Sequence, residues 1–271
     1  MFTSLKNFLL RPLLRVLEHP QVKSRVAAMV VEMLDDPEIK IRLWKHTNIR
    51  PATLLTHWSL LPNDIREELM RQATEEAAGF VNANLGHVEG AFDPPHLLDQ
   101  AIDAASVEGL YLEFGVYTGT TINHIAGRIG ETIHGFDAFE GLPEDWGGVP
   151  AGKFSLKGKP PTDLRDNVEL HVGWFDQTLP DFLHEHPEPV ALLHVDCDLY
   201  SSAKIVLWGL AERIVPGTVI VFDEYFNYPG WREHEYKAFN EFVSEFQLNF
   251  EYLGYSARGY SVAVRINAPA A

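Results

Sequence analysis

Apolar positions fall into two textures along the chain. Up to about residue 108 they recur three and four apart, as in "QVKSRVAAMVVEMLDD" and "DIREELMRQATEEAAGFVNANL". That period predicts helices with one buried face. Asn63 stands where it would cap the second of these, and Asp93 before Pro94 and Pro95 reads as the cap and first turn of "HLLDQAIDAAS". From about 109 short continuous apolar runs take over: "GLYLEFGVY", "TIHGFDAF", "NVELHVGWF", "VALLHVDCD" and "GTVIVFDEY". Helix-length segments lie between them, namely "TTINHIAGRI", "FDQTLPDFLHEH" and "SSAKIVLWGLAERIV". Strands that alternate with helices and read as apolar on both faces predict a doubly wound, mostly parallel sheet. "FEYLGYS" and "GYSVAVRI", separated by "ARG", predict a final antiparallel pair. The expected organisation is a helical region over 1–108 followed by an α/β domain over 109–271.

Ligands of open α/β sheets bind outside the carboxyl ends of the strands. The polar residues gather there: Glu113 and Gly115, Asp137, Gly173 and Trp174, Asp196 and Asp198, Asp223 and Glu224. The first strand runs into "LEFGVYTGTT". A dinucleotide fingerprint would need glycine where Tyr117 stands, which argues against a nicotinamide or flavin cofactor. No Gly-Lys-Ser/Thr follows for a triphosphate. Asp137 closes the second strand, where an acid serves ribose hydroxyls. Ribose without pyrophosphate points to S-adenosylmethionine. The expected cofactor set is Glu113 on the ammonium side, Gly115 along the aminoacyl part, Tyr117, Gly119 and Thr120 in the turn, Asp137, then Gly173 and Trp174, with the indole over the adenine.

"LLHVDCDLY" poses a second question, since an apolar strand runs straight into two acids and carboxylates are costly to bury unpaired. In the sheet order of an S-adenosylmethionine-dependent methyltransferase, the strand ending at Asp196 lies beside the one ending at Asp223, about 4.8 Å away. Asp196, Asp223 and Glu224 then form an oxygen-only set suited to Mg²⁺ or Mn²⁺ rather than zinc. Asp196 is also the first choice of base for an acceptor hydroxyl. Asp198 reads as an anionic residue at the start of the next helix, and Cys197 as a small packing residue.

Composition narrows the field. The chain has 271 residues, 46% hydrophobic, with a formal net charge of −16. That charge argues against general nucleic-acid binding. The single cysteine excludes an intrachain disulfide and a cysteine-rich zinc site, and fits a reducing cytoplasm. No apolar run reaches the length of a membrane span. The start, "MFTSLKNFLLRPLLRVLEH", is amphipathic and basic. It reads either as a membrane-surface or targeting helix or, preferably, as one that packs on its own domain or on a second subunit.

The stretches "LEFGVYTGTT", "GFDAFEGLP", "NVELHVGWFDQTLP", "LLHVDCDLYSS" and "PGTVIVFDEY" together resemble the macrocin O-methyltransferase-like class I methyltransferases, which include enzymes that methylate sugar hydroxyls of antibiotics. The resemblance implies a Rossmann-like fold, S-adenosylmethionine, often Mg²⁺, and N-terminal helices used for homo-oligomer contacts and for enclosing a small hydroxylated acceptor. This chain departs from the pattern in carrying Cys197 in place of glycine, and Asp223-Glu224 in place of paired aspartates. Glutamate keeps the oxygen and moves it one methylene outward. Past that motif, "YFNYPGWREHEYKAFNEF" offers Tyr225, Phe226, Tyr228 and Trp231 for an acceptor pocket and His234 as an auxiliary base. The alternative is a helix whose Phe239, Phe242 and Phe246 pack on the sheet. The other histidines, the "HEH" at 184–186 included, read as exposed. Two rivals to a metal-assisted O-methyltransferase remain: a metal-independent enzyme working by proximity, and a binding protein that keeps the fold without turnover.

Overall fold

The structure is a computed structural model that describes residues 65–268. The basic amphipathic start, the cap at Asn63 and the expected N-terminal oligomer contacts lie outside the described residues. The chain divides into two compact units, Met1–Glu68 and Leu69–Ala271. The second therefore begins well before the change of texture at 109.

The elements run α1 (Ile65–Asn84), β1 (Gly90–Ala91), α2 (Pro94–Ala104), β2 (Leu110–Phe114), α3 (Thr120–Ala126), β3 (Ile133–Asp137), β4 (Val168–Val172), α4 (Phe175–Glu185), β5 (Val190–Val195), α5 (Tyr200–Gly209), β6 (Val219–Phe222), a 3₁₀ turn (Trp231–Glu233), α6 (Glu235–Glu245), β7 (Asn249–Ser256) and β8 (Val262–Asn267). Asp93 caps α2 as its sequence predicts, its carboxylate accepting from the amide of His96 at 3.1 Å. The eight strands form one sheet in the order β1-β7-β8-β6-β5-β2-β3-β4. β2, β3, β4, β5 and β6 pair in parallel, and β8 runs antiparallel to both β6 and β7.

Each face of the sheet carries its own apolar core. One is built from α2 and α3, with Leu97, Leu98, Ile122 and Ile125 against Leu192, Val219 and Val221. The other joins α1, α4, α5 and α6 through Phe80, Phe182, Val206, Phe239 and Phe242. Cover on both faces is why β5 reads "VALLHV" without alternation: all six of its residues are buried. Phe80 of α1 meets Trp231, Tyr236 and Tyr252 edge-on at 5.6, 5.7 and 5.9 Å, so this helix completes the core of the sheet unit. The two-residue strand β1, which the sequence reading missed, pairs with β7 at Gly90 and Ala91.

Candidate active site

The turn after β2 is shaped by how closely it approaches β5. Gly115 has φ +96°, and a Cβ there would overlap the carbonyl oxygen of Asp196. The backbone amide of Gly115 donates to Phe136 (3.0 Å), and that of Asp196 donates to Phe114 (2.9 Å). Only glycine allows both the conformation and the contact. Beyond it, the amides of Val116 and Tyr117 donate to Asp137 Oδ2 at 2.9 and 2.8 Å, and that of Phe139 to Oδ1 at 2.6 Å. Asp137 thus ties its own loop to the glycine turn. Three of its roughly four lone-pair positions are used, which leaves one for a ligand hydroxyl. Tyr117 sits at φ +47° with its ring edge-on to Phe154 at 5.6 Å.

A cavity of about 610 Å³ opens at these strand ends, with Gly115, Tyr117, Asp137, Trp174, Asp196 and Glu224 on its wall. Of the other residues expected at the cofactor, Glu113, Gly119, Thr120 and Gly173 are off that wall. Gly119 (φ +81°) opens α3, and Gly173 donates its amide to the Asp137 carbonyl at 3.0 Å. Thr120 borders a separate pocket of about 120 Å³, which Asp223 and His194 also line. Glu113 is fully buried behind the turn, its Oε1 bonded to His194 Nδ1 at 3.0 Å. Burial pulls the His194 imidazole down, but the bond and charge of Glu113 outweigh it and push it up to about 9.

The acids of β5 and β6 do converge. The last bond between these strands runs from the Asp223 amide to the Val195 carbonyl (2.9 Å), and one carboxylate oxygen from each of Asp196, Asp223 and Glu224 lies within 4.8 Å of the others. Ser261 Oγ donates to Asp223 Oδ1 at 2.9 Å. Glu224 Oε2 is buried with no partner. Burial, and then the repulsion of Asp223, raise the carboxyls of Asp196 and Glu224 well above the usual range. An oxygen-only set, mutually repelling, with one orphaned buried oxygen, fits a hard divalent cation.

Asp198 stands at the start of α5, as expected, but does not cap it. The N-cap of α5 is Leu199 and no side chain caps that helix. Asp198 sits at φ +62° on the cavity wall, its carboxyl pushed up to about 7 by burial and then by Asp223. Cys197 is buried and its thiol is pushed well up by burial, which suits a packing residue.

The residues after β6 also differ from expectation. Tyr225, Phe226, Tyr228 and Trp231 are core residues, buried against α1 and α6 rather than lining the cavity. His234 lies half-buried behind the wall, 6.3 Å from the ring of Trp146 and 6.2 Å from that of Tyr228, and burial lowers its imidazole. Nor are the other histidines all exposed. His134, His171 and His186 cluster on Phe182, and His134 Nδ1 lies 3.2 Å from His171 Nε2.

Two site-supporting residues escaped the sequence reading, His194 and Glu235. His194 had a signal, a titratable residue inside the apolar run "VALLHV" of a strand covered on both faces. Glu235 had none, being one acid among several in "WREHEYKAFNEF".

Residues 112–225 match a family model described as a methyltransferase domain. No curated protein sequence matches the chain. Among solved structures, the O-methyltransferase NovP is similar at 21% identity over 63% of this chain and 78% of its own, with a TM-score of 0.52. The calicheamicin methyltransferase CalS11 is similar at 21% identity over 92% of this chain and 93% of its own, with a TM-score of 0.51. With the parallel strands around β2 and β5, the antiparallel β8 beside β6 and these two likenesses together, the chain has the Rossmann-like class I methyltransferase fold.

Proposed function

We propose that this protein is an S-adenosylmethionine-dependent O-methyltransferase that acts on a hydroxyl of a small molecule with the help of Mg²⁺. One observation carries the reading: oxygens of Asp196, Asp223 and Glu224 converge within 4.8 Å beside a cavity that the Gly115 turn, Asp137 and Trp174 also line. The methyltransferase-domain match and the O-methyltransferase named among the similar structures support it.

S-adenosylmethionine would supply an electrophilic methyl group on a sulfonium. A divalent ion held by Asp196, Asp223 and Glu224 would supply positive charge that lowers the pKa of an acceptor hydroxyl. The rest falls to side chains. The Gly115 turn lets backbone approach the aminoacyl part, and Asp137 offers its remaining lone pair to a ribose hydroxyl. Trp174, on the cavity wall, would cover the adenine. Further acids on the wall, Glu144 and Asp198 among them, favour a cofactor of net positive charge. Asp196 accepts the acceptor's proton at a carboxylate oxygen. His234 is subordinate to it, because it lies behind Trp146. Glu113, paired with His194, supports the turn from beneath.

The test is turnover against sugar, phenol and polyketide hydroxyls, read by mass. The expected product carries one added methyl group, disappears in EDTA and returns with MgCl₂. Turnover indifferent to EDTA would replace the metal with proximity alone. Cofactor binding without turnover on any acceptor would favour a binding protein.

A further inference from the structure

Strand pairing between β5 and β6 ends at Val195 and Phe222, one residue short of the acids. Past that point the two chains leave the sheet as loops, and backbone amides there need partners of another kind. Glu235, the first residue of α6, provides them. Its Oε1 accepts from the amide of Cys197 at 3.3 Å and its Oε2 from the amide of Glu224 at 3.1 Å. The side chain is fully buried. No Lys, Arg or His is paired with it among the described residues. A carboxylate buried without a cation is costly, so its particular capacity is what matters. Its two oxygens accept one N–H each from two different segments. A glutamine could accept one of these bonds and would turn its own N–H₂ toward the other amide.

We infer that Glu235 is a positioning residue: by clamping the amides of Cys197 and Glu224, it fixes the separation of the β5 and β6 tips and so holds Asp196 and Glu224 at the spacing a divalent cation requires. Tyr228 braces the same strand tip, its hydroxyl donating to the Glu224 carbonyl at 3.1 Å. The inference rests on the reading of Asp196, Asp223 and Glu224 as cation ligands. It adds that their geometry is set by a residue that touches neither cation nor substrate.

The test uses the full-length protein and two calorimetric titrations, one with S-adenosylhomocysteine and one with MnCl₂ in the presence of saturating S-adenosylhomocysteine. In Glu235→Gln the Mn²⁺ dissociation constant should rise at least tenfold, while that of S-adenosylhomocysteine stays within about twofold of wild type. Equal losses for both ligands would mean a general structural role and overturn the inference, as would unchanged Mn²⁺ affinity. The wild-type arms stand apart: failure to bind S-adenosylhomocysteine sinks the proposed function itself. Binding of the cofactor product without Mn²⁺ removes only the cation set and Glu235's role with it. If Glu235→Gln does not fold, hydrogen exchange of the wild type decides. The Cys197 and Glu224 amides, though outside the strand ladder, should exchange as slowly as those of β5 and β6, and exchange at loop rates would refute the clamp.

Discussion

Gly115 and Gly148 sit at similar positive φ, +96° and +90°, yet their surroundings differ completely. A Cβ at Gly115 meets the backbone of Asp196, whereas one at Gly148 meets nothing within 4 Å. Gly148→Ala should therefore cost only the conformational penalty, about 1–2 kcal/mol. Gly115→Ala must also push the tips of β2 and β5 apart, and should lose upwards of about 4 kcal/mol in urea denaturation. Equal losses would mean that the approach of the two strands is not what demands glycine. Asp196 allows a prediction on chemistry. If it takes the proton, Asp196→Asn lowers kcat by about 10²–10⁴-fold, while S-adenosylhomocysteine affinity, measured by calorimetry, barely moves. His234→Ala should cost far less, since its ring stands behind Trp146.

Glu113 and His194 lie directly opposite one another on adjacent strands, so their hydrogen bond joins β2 to β5 at the level where both turn into the site. Neither is exposed, and removing one partner leaves the other's charge without compensation. His194→Ala should cost about 3–5 kcal/mol by chemical denaturation, and the double change Glu113→Leu/His194→Leu should recover most of that loss. A small effect of the single change would show that the pair is not charged in the folded protein. This pair also shows what sequence could and could not disclose about elements. The strands were legible because a parallel sheet covered on both faces writes continuous apolar runs. The pairing of Glu113 with His194 depends on register across 81 residues of chain, which no local pattern encodes. Aromatic density misled for a related reason. Tyr225, Phe226 and Trp231 look alike in sequence whether they line a ligand pocket or fill a core, and only the position of α1 against them settles which.

At the scale of the whole molecule, sequence disclosed the sheet and its chemical edge but not which helices join it. α1 and α2 carry ordinary helical periodicity, and nothing in that period says that Phe80 or Leu97 packs on strands far along the chain. The far edge of the sheet gives a global prediction through pH. His134 is buried, and burial followed by the charges of His171 and His186 lowers it from 6.5 to about 4, against weaker opposing pulls from Glu169 and Glu188. Its folded-state value is depressed, so between about 6.5 and 4 the unfolded chain binds more protons. This contribution is complete above pH 6.5 and is lost as pH falls toward 4, with a slope approaching about 1.4 kcal/mol per pH unit. His134→Asn should flatten the pH dependence of stability in that window, measured by urea denaturation at several pH values. An unchanged slope would exclude His134 as its source. Among the described residues no helix is long and apolar enough to cross a membrane.

The cavity at the carboxyl ends of β2, β3, β4 and β5 is the proposed seat of S-adenosylmethionine. Calorimetric titration of the full-length protein with S-adenosylhomocysteine tests it most directly, run with MgCl₂ and again with EDTA. Saturable one-to-one binding is expected in both conditions, weakened at least tenfold in Trp174→Ala and in Asp137→Ala. No binding in either condition would contradict it, and the assignments of the Gly115 turn, Asp137 and Trp174 would fall together.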